Sequence, residues 1–275
     1  MPRLTTLTFR MAILAMAQAA FMACCPPTPA AHAAAPMASQ IASQGKTVIQ
    51  PSSPEPATET RAFALRSGGS LRVSNVNGSI KISAWDKNEV ALTADFKPSS
   101  DGDHVRLKVD SADGSLELIA KHPKNRIRLS GSRMGASCDM ELKVPHQIAN
   151  NINSVNGTIQ ISGTSGKNRV NTVNGGIALE NVNGNITVST VNGSISGSIQ
   201  NVEDILNVSS VNGSINLKLL KPNGALRASW VNGSMNLQTP GANNVEVTKR
   251  RAKATFSNGG ASMVLSTVNG SIVVQ

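Results

Sequence analysis

Short runs of alternating apolar and polar residues fill most of this chain, and Asn-Gly interrupts them at regular places. The unit around each interruption is nearly constant. It reads Val76-Asn77-Gly78-Ser79-Ile80, Val155-Asn156-Gly157-Thr158-Ile159, Val173-Asn174-Gly175-Gly176-Ile177 and Val182-Asn183-Gly184-Asn185-Ile186. It returns as Val191-Asn192-Gly193-Ser194-Ile195, Val211-Asn212-Gly213-Ser214-Ile215, Val231-Asn232-Gly233-Ser234-Met235 and Val268-Asn269-Gly270-Ser271-Ile272. From Val155 the steps are 18, 9, 9, 20, 20 and 37 residues, so the dominant period is 18 to 20.

Each position of the unit suits β-structure. Asn tolerates a left-handed backbone and Gly prefers it, so the pair predicts a sharp structural turn. The flanking Val and Ile are β-branched and suit strands that bury alternate side chains, so both are expected inside. A hairpin meander would use such turns without needing them to be alike. A stack of coils rewards identity, because like residues form ladders of Asn bonds and interlocked Val and Ile. The repeats therefore predict an all-β chain built as a single-stranded β-solenoid, β-helix-like. At ~3.3 Å per residue a coil of 18 to 20 residues has a perimeter near ~60 Å.

Four stretches follow. Residues 1–33 read as a signal peptide: Arg3 and Arg10 precede the uncharged run Met11 to Ala23, and Ala31-His32-Ala33 is an A-x-A cleavage site. A competing reading takes Phe21-Met22-Ala23-Cys24 as a loose lipobox that would leave a lipid on Cys24. Residues 34–60, rich in Ala, Ser, Pro and Gln, read as a flexible linker. Residues 61–148 are expected to be a more irregular β segment on the same stack, with Trp85 and Phe96 in its core. Residues 149–275 carry the repeat solenoid.

The repeats behind an export signal resemble the bacterial putative-adhesin family, a domain of unknown function. Leu71 to Trp85 (LRVSNVNGSIKISAW) is similar to that family's opening segment, and Leu142-Lys143-Val144-Pro145 also fits. The resemblance covers about 61–275 and implies a β-solenoid-like fold and surface adhesion. It implies no catalytic residues.

Composition narrows the chemistry. With two Trp, five Phe and no Tyr, few rings are present to stack sugars or unpaired bases. Acids are scarce in the repeats, which argues against calcium-binding turns. His104, His122 and His146 lack metal-ligand spacing, so no metal and no cofactor is expected. The Asn-Gly-Ser/Thr sequons are explained by turn geometry. Cys138, the one cysteine beyond the signal, reads as a buried strand residue and not a nucleophile.

The formal net charge is +10, and it is uneven. Lys121, Lys124, Arg126, Arg128 and Arg133 form one acid-free basic group; Lys249, Arg250, Arg251 and Lys253 form another. Such groups attract anions, so these nine residues are the candidate anion-binding set, with the Asn-Gly positions structural. The competing reading makes them solubilising surface. The sequence thus predicts an exported, non-catalytic envelope or surface protein in the periplasm or at the cell surface, acting as adhesin, scaffold or binding module. An alternative is a periplasmic envelope-stress partner of a membrane regulatory protein, and a third is a glycan-acting solenoid enzyme. The expected partner is an anionic envelope polymer or that regulator; no nucleic acid is expected, and membrane contact only through Cys24.

Overall fold

Burial with a period of two is the signature of strands with one face on a core. Leu92, Ala94 and Phe96 are buried between half-buried Thr93 and exposed Asp95, and Leu226, Ala228 and Trp230 are buried between exposed Arg227 and Ser229. The computed structural model describes residues 41–42, 44–51, 55–122, 135–257 and 260–275, all within the unit Ser39–Gln275. The segment expected to be a signal peptide, with its Cys24 alternative, lies outside the described residues.

The described strands are β1 (Ile41–Ala42), β2 (Gly45–Ile49), β3 (Ala57–Ala64), β4 (Ser70–Ser74), β5 (Ile80–Trp85), β6 (Glu89–Lys97) and β7 (Arg106–Ala112). They continue as β8 (Ser115–Lys121), β9 (Ser137–Pro145), β10 (Ala149–Asn153), β11 (Ile159–Ser162), β12 (Lys167–Asn174), β13 (Ile177–Asn192) and β14 (Ile195–Asn212). The remainder are β15 (Ile215–Lys221), β16 (Gly224–Asn232), β17 (Met235–Leu237), β18 (Ala242–Val247), β19 (Arg251–Phe256), β20 (Ser262–Asn269) and β21 (Ile272–Val274).

The repeats pair in parallel and in register. Asn168 lies beside Ile186, Ile177 beside Ile195 and Ile195 beside Ile215, offsets of 18, 18 and 20 residues. Parallel register excludes the hairpin meander, because each Asn-Gly bends the chain without reversing its pairing. The early segment joins the same stack: Val73 pairs with Ile152, and Ile80 with Ile159.

A uniform single-stranded solenoid is not what forms. The sheet is mixed, with antiparallel pairs β2–β7, β3–β6, β6–β9, β7–β8, β16–β19 and β18–β19. Nor does the stack follow chain order. β14 pairs with β20, and β20 with β16, so the last strands insert between two earlier ones. The physical reason lies in residues 242–256. Their hairpin closes the far side of β16, and the returning chain fills the gap on its near side.

Three narrower expectations change as well. Within 34–60, read as a linker, residues 45–49 pair with β7 and 57–60 with β6. Trp85 is only half-buried, its Nε1 donating to Glu89 O at 2.8 Å under the Lys87 ammonium, whereas Phe63, Phe96, Trp230 and Phe256 are buried. The Val of seven units is 37–47% exposed, whereas Ile80, Ile159, Ile177, Ile195, Ile215 and Ile272 are at most 1% exposed. The Val falls one residue after a buried polar or Trp position and so points outward by strand alternation. Only Val182 is buried, because its unit lies in the middle of β13 at a different corner of the coil.

Candidate functional site

Seven asparagines make one ladder. Asn156 Nδ2 donates to Asn77 Oδ1 at 2.8 Å, Asn174 to Asn156 at 2.8 Å, and Asn192 to Asn174 at 2.9 Å. Asn212 donates to Asn192 at 2.9 Å, Asn269 to Asn212 at 2.8 Å, and Asn232 to Asn269 at 2.8 Å. All the amides point one way, so neighbouring bonds polarise one another. Asn183 stands outside the ladder, its backbone N–H bonded to Thr164 O at 2.9 Å.

Glycine follows each ladder Asn chiefly for want of space. A β-carbon on Gly193 would overlap the carbonyl of Gly175, and one on Gly213 the carbonyl of Gly193. The rung behind is backbone and cannot move aside. One residue before the exposed Val sits a polar side chain turned inward in every unit but that of Val231, where Trp230 takes the place. Thr190 Oγ1 donates to Gly175 O at 3.1 Å, Ser210 Oγ to Gly193 O at 3.0 Å and Thr267 Oγ1 to Gly213 O at 3.0 Å. These hydroxyls satisfy the same carbonyls that exclude the β-carbon.

Outside the ladder, two rows face solvent side by side. One is the exposed Val row, Val76 to Val268. The other, two residues upstream, is small and polar: Ser74, Asn153, Asn171, Ser189, Ser209, Ser266 and Ser229. Asn171 Nδ2 bonds Asn153 Oδ1 at 3.0 Å, and Ser189 Oγ bonds Asn171 Oδ1 at 2.7 Å. At the Trp230 end these rows open into a cleft of about 330 Å³ between Ser229, Val231, Ser266, Val268, Arg250 and Arg251.

The basic hairpin turn forms the cleft's cationic wall. Thr248 N–H donates to Arg251 O at 2.8 Å and Arg251 N–H to Thr248 Oγ1 at 3.2 Å, which fixes a tight turn. Trp230 N–H donates to Arg250 O at 3.1 Å and ties that turn to the stack. Lys249, Arg250, Arg251 and Lys253 are all exposed, and Lys253 lies opposite Glu246.

The two basic groups are not brought together. Lys121 ends β8, which pairs with β4 at the other end of the stack, eight strand steps from β19 and thus roughly 38 Å away. Lys124, Arg126, Arg128 and Arg133 lie outside the described residues. The residues that sequence reasoning missed are Trp230, Ser229, Ser266, Val231 and Val268. Ser229, Trp230 and Val231 meet Arg250 through the β16–β19 pair, whereas Ser266 and Val268 arrive on the inserted strand β20, which leaves no local sequence signal.

Other candidate chemistry is muted. Cys138 is buried in β9, and burial, with Asp139 and Asp95 nearby, pushes its thiol up to about 12. His122 is held below its ordinary value by burial, against a hydrogen bond it donates to the Ala136 backbone carbonyl, and its Nε2 lies 3.3 Å from Asn75 Oδ1. Among the described residues no three His, Cys, Asp or Glu side chains gather to hold a metal, and no helix is long and apolar enough to cross a membrane.

No curated protein matches the sequence. Three solved structures resemble it. A proposed cell adhesion protein from Clostridium sporogenes is 13% identical with a TM-score of 0.46, over 80% of this chain and 99% of that one. A proposed adhesin from Bacteroides fragilis is 12% identical at 0.42, over 81% and 99%. A proposed lipid-binding protein from Parabacteroides distasonis is 12% identical at 0.32, over 80% and 97%. Residues 64–275, which span all seven rungs of the ladder and the basic hairpin, match the family Toastrack DUF4097, and the chain belongs to that family.

Proposed function

We infer that the protein is an exported, non-catalytic binding module of the cell envelope, in the periplasm or at the surface, that holds an extended anionic polymer. The stack serves as a rigid, solenoid-like spine, and the polymer lies along the corner where the polar row meets the Val row. The cleft between Ser229, Ser266, Val231 and Val268, walled by Arg250 and Arg251, carries this reading. It joins hydroxyl groups, an apolar wall and two guanidinium groups with no ion pair among the described residues, which suits an acidic polysaccharide better than a neutral one. Burial and the high thiol value of Cys138 leave it unsuited to nucleophilic work.

The experiment is a titration of the full chain with polygalacturonate as an acidic polysaccharide probe. Saturable binding that weakens as salt screens charge over ~8–10 Å is expected. Arg250→Glu with Arg251→Glu should abolish it while the circular dichroism stays all-β. Binding indifferent to both salt and charge reversal would contradict the reading.

A further inference from the structure

Every rung of the ladder is recognised by the next in one way. Gly213 N–H donates to Asn269 O at 3.0 Å, and Gly270 N–H to Asn232 O at 3.0 Å. Ile215 N–H donates to Ser271 O, and Ile272 N–H to Ser234 O, both at 2.9 Å. Side-chain amides run the opposite way, ending with Asn232 Nδ2 on Asn269 Oδ1.

The two ends of the ladder differ. At the Asn77 end the chain closes its own stack. Asp139 Oδ1 accepts from Ser79 N–H at 2.7 Å and Ser79 Oγ at 2.8 Å, Ala136 O accepts from Asn77 Nδ2 at 3.4 Å, and Cys138 N–H donates to Asn77 O at 3.0 Å. At the Asn232 end nothing equivalent stands among the described residues, and β17 pairs with β21 alone. The N–H groups of Gly233 and Met235 correspond to those of Gly270 and Ile272, and here they face outward. Asn232 Oδ1 corresponds to an acceptor that is filled in each rung before it. Upstream the edge closes again, because β19 covers β16 as far as Ser229. The open stretch therefore runs over 231–237, beside the turn that carries Lys249, Arg250 and Arg251.

We propose that the Val231–Leu237 edge accepts an extended strand of another polypeptide that carries an Asn-Gly step preceded by acidic residues. The strand adds in parallel as an eighth rung. Its Asn carbonyl accepts from Gly233 N–H, the next-but-one carbonyl accepts from Met235 N–H, and its Asn amide donates to Asn232 Oδ1. Residues ahead of its Asn-Gly pass Arg250 and Arg251, where carboxylates are favoured. A second copy of this chain suits the edge less well, since its charge is +10 and its own Asn-Gly strands are already paired.

The probe is a labelled synthetic peptide with the sequence of residues 210–217 behind two added aspartates, titrated against the full chain by fluorescence anisotropy. Saturable binding is expected. N-methylation of the peptide's Asn nitrogen, which blocks strand addition, should weaken it roughly tenfold, as should Met235→Pro in the protein. Arg250→Glu with Arg251→Glu should weaken the aspartate peptide and restore binding to one led by two lysines. The peptide-side change and this charge swap keep the test decisive if Met235→Pro misfolds. Absence of saturable binding, or binding that ignores both N-methylation and the charge swap, overturns the proposal. So does sedimentation as a dimer that Met235→Pro dissolves, which would give the edge to a second copy. Polysaccharide binding is read separately, so either result can fail alone.

Discussion

Asn192 Nδ2 donates to Asn174 Oδ1 at 2.9 Å across a gap of 18 residues, and its own Oδ1 accepts from Asn212. A mid-ladder Asn thus serves as donor and acceptor, while the Asn232 side chain, at the end, is bonded on one side only among the described residues. Asn192→Ala should destabilise by about 2 kcal/mol and Asn232→Ala by about 1 kcal/mol or less, following the ~1 kcal/mol usual for one hydrogen bond. Urea unfolding of both variants checks the order. Equal losses would mean that the ladder bonds contribute little beyond local turn preference.

The glycines give a sharper contrast. Gly213→Ala places a β-carbon into the Gly193 carbonyl, so a loss of about 3 kcal/mol or outright misfolding is expected. Gly241 has a φ of +80 and open space around its β-position, so Gly241→Ala should cost only about 1 kcal/mol of backbone strain. Thermal melts distinguish crowding between rungs from a need for left-handed backbone.

Much of this was legible in the sequence, and the failures have physical causes. Identical Val-Asn-Gly-Ser-Ile units predicted in-register parallel stacking, and Asn77 to Asn269 do stack. Gly193 is needed for room beside the Gly175 carbonyl and not for a left-handed backbone, whereas Gly78, with a φ of +120, needs both. The outward Val191 was misread. Its neighbour Thr190 takes the inward position because a hydroxyl there can bond Gly175 O, a long-range partner that hydrophobicity does not reveal. The Ser266–Val268 side of the cleft was invisible because β20 reaches Trp230 only by inserting out of chain order.

The same alternation separates two apolar residues of one unit. Ile195 is fully buried, and Ile195→Ala should cost about 3 kcal/mol through the cavity left in the core. Val191 is 40% exposed, and Val191→Ala should change stability by about 0.5 kcal/mol or less. Comparable losses at the two positions, measured in urea, would place Val191 in a covered interface.

Asp139 makes the closed end of the ladder acid-sensitive. Burial alone would raise its carboxyl, but hydrogen bonds from Lys97 and from Ser79 N–H and Oγ, with the Lys97 charge, hold it below its ordinary 3.8. A depressed acid contributes stability above the unfolded value and loses it as pH falls through the folded one. Stability should therefore decline below about pH 4 in part through this residue. Asp139→Asn should flatten that decline while lowering stability at pH 7. A profile identical to wild type below pH 4 would assign the acid response elsewhere.

The central claim is that binding occurs at the corner beside the basic turn and leaves the rest of the stack as scaffold. Hydrogen–deuterium exchange of the full chain, with and without polygalacturonate, tests it most directly. Slowed exchange is expected in residues 248–251 and in the neighbouring Ser229–Val231 and Ser266–Val268 segments, with Glu89–Lys97 unchanged. Protection confined to other segments, or none at saturating polymer, would contradict the account.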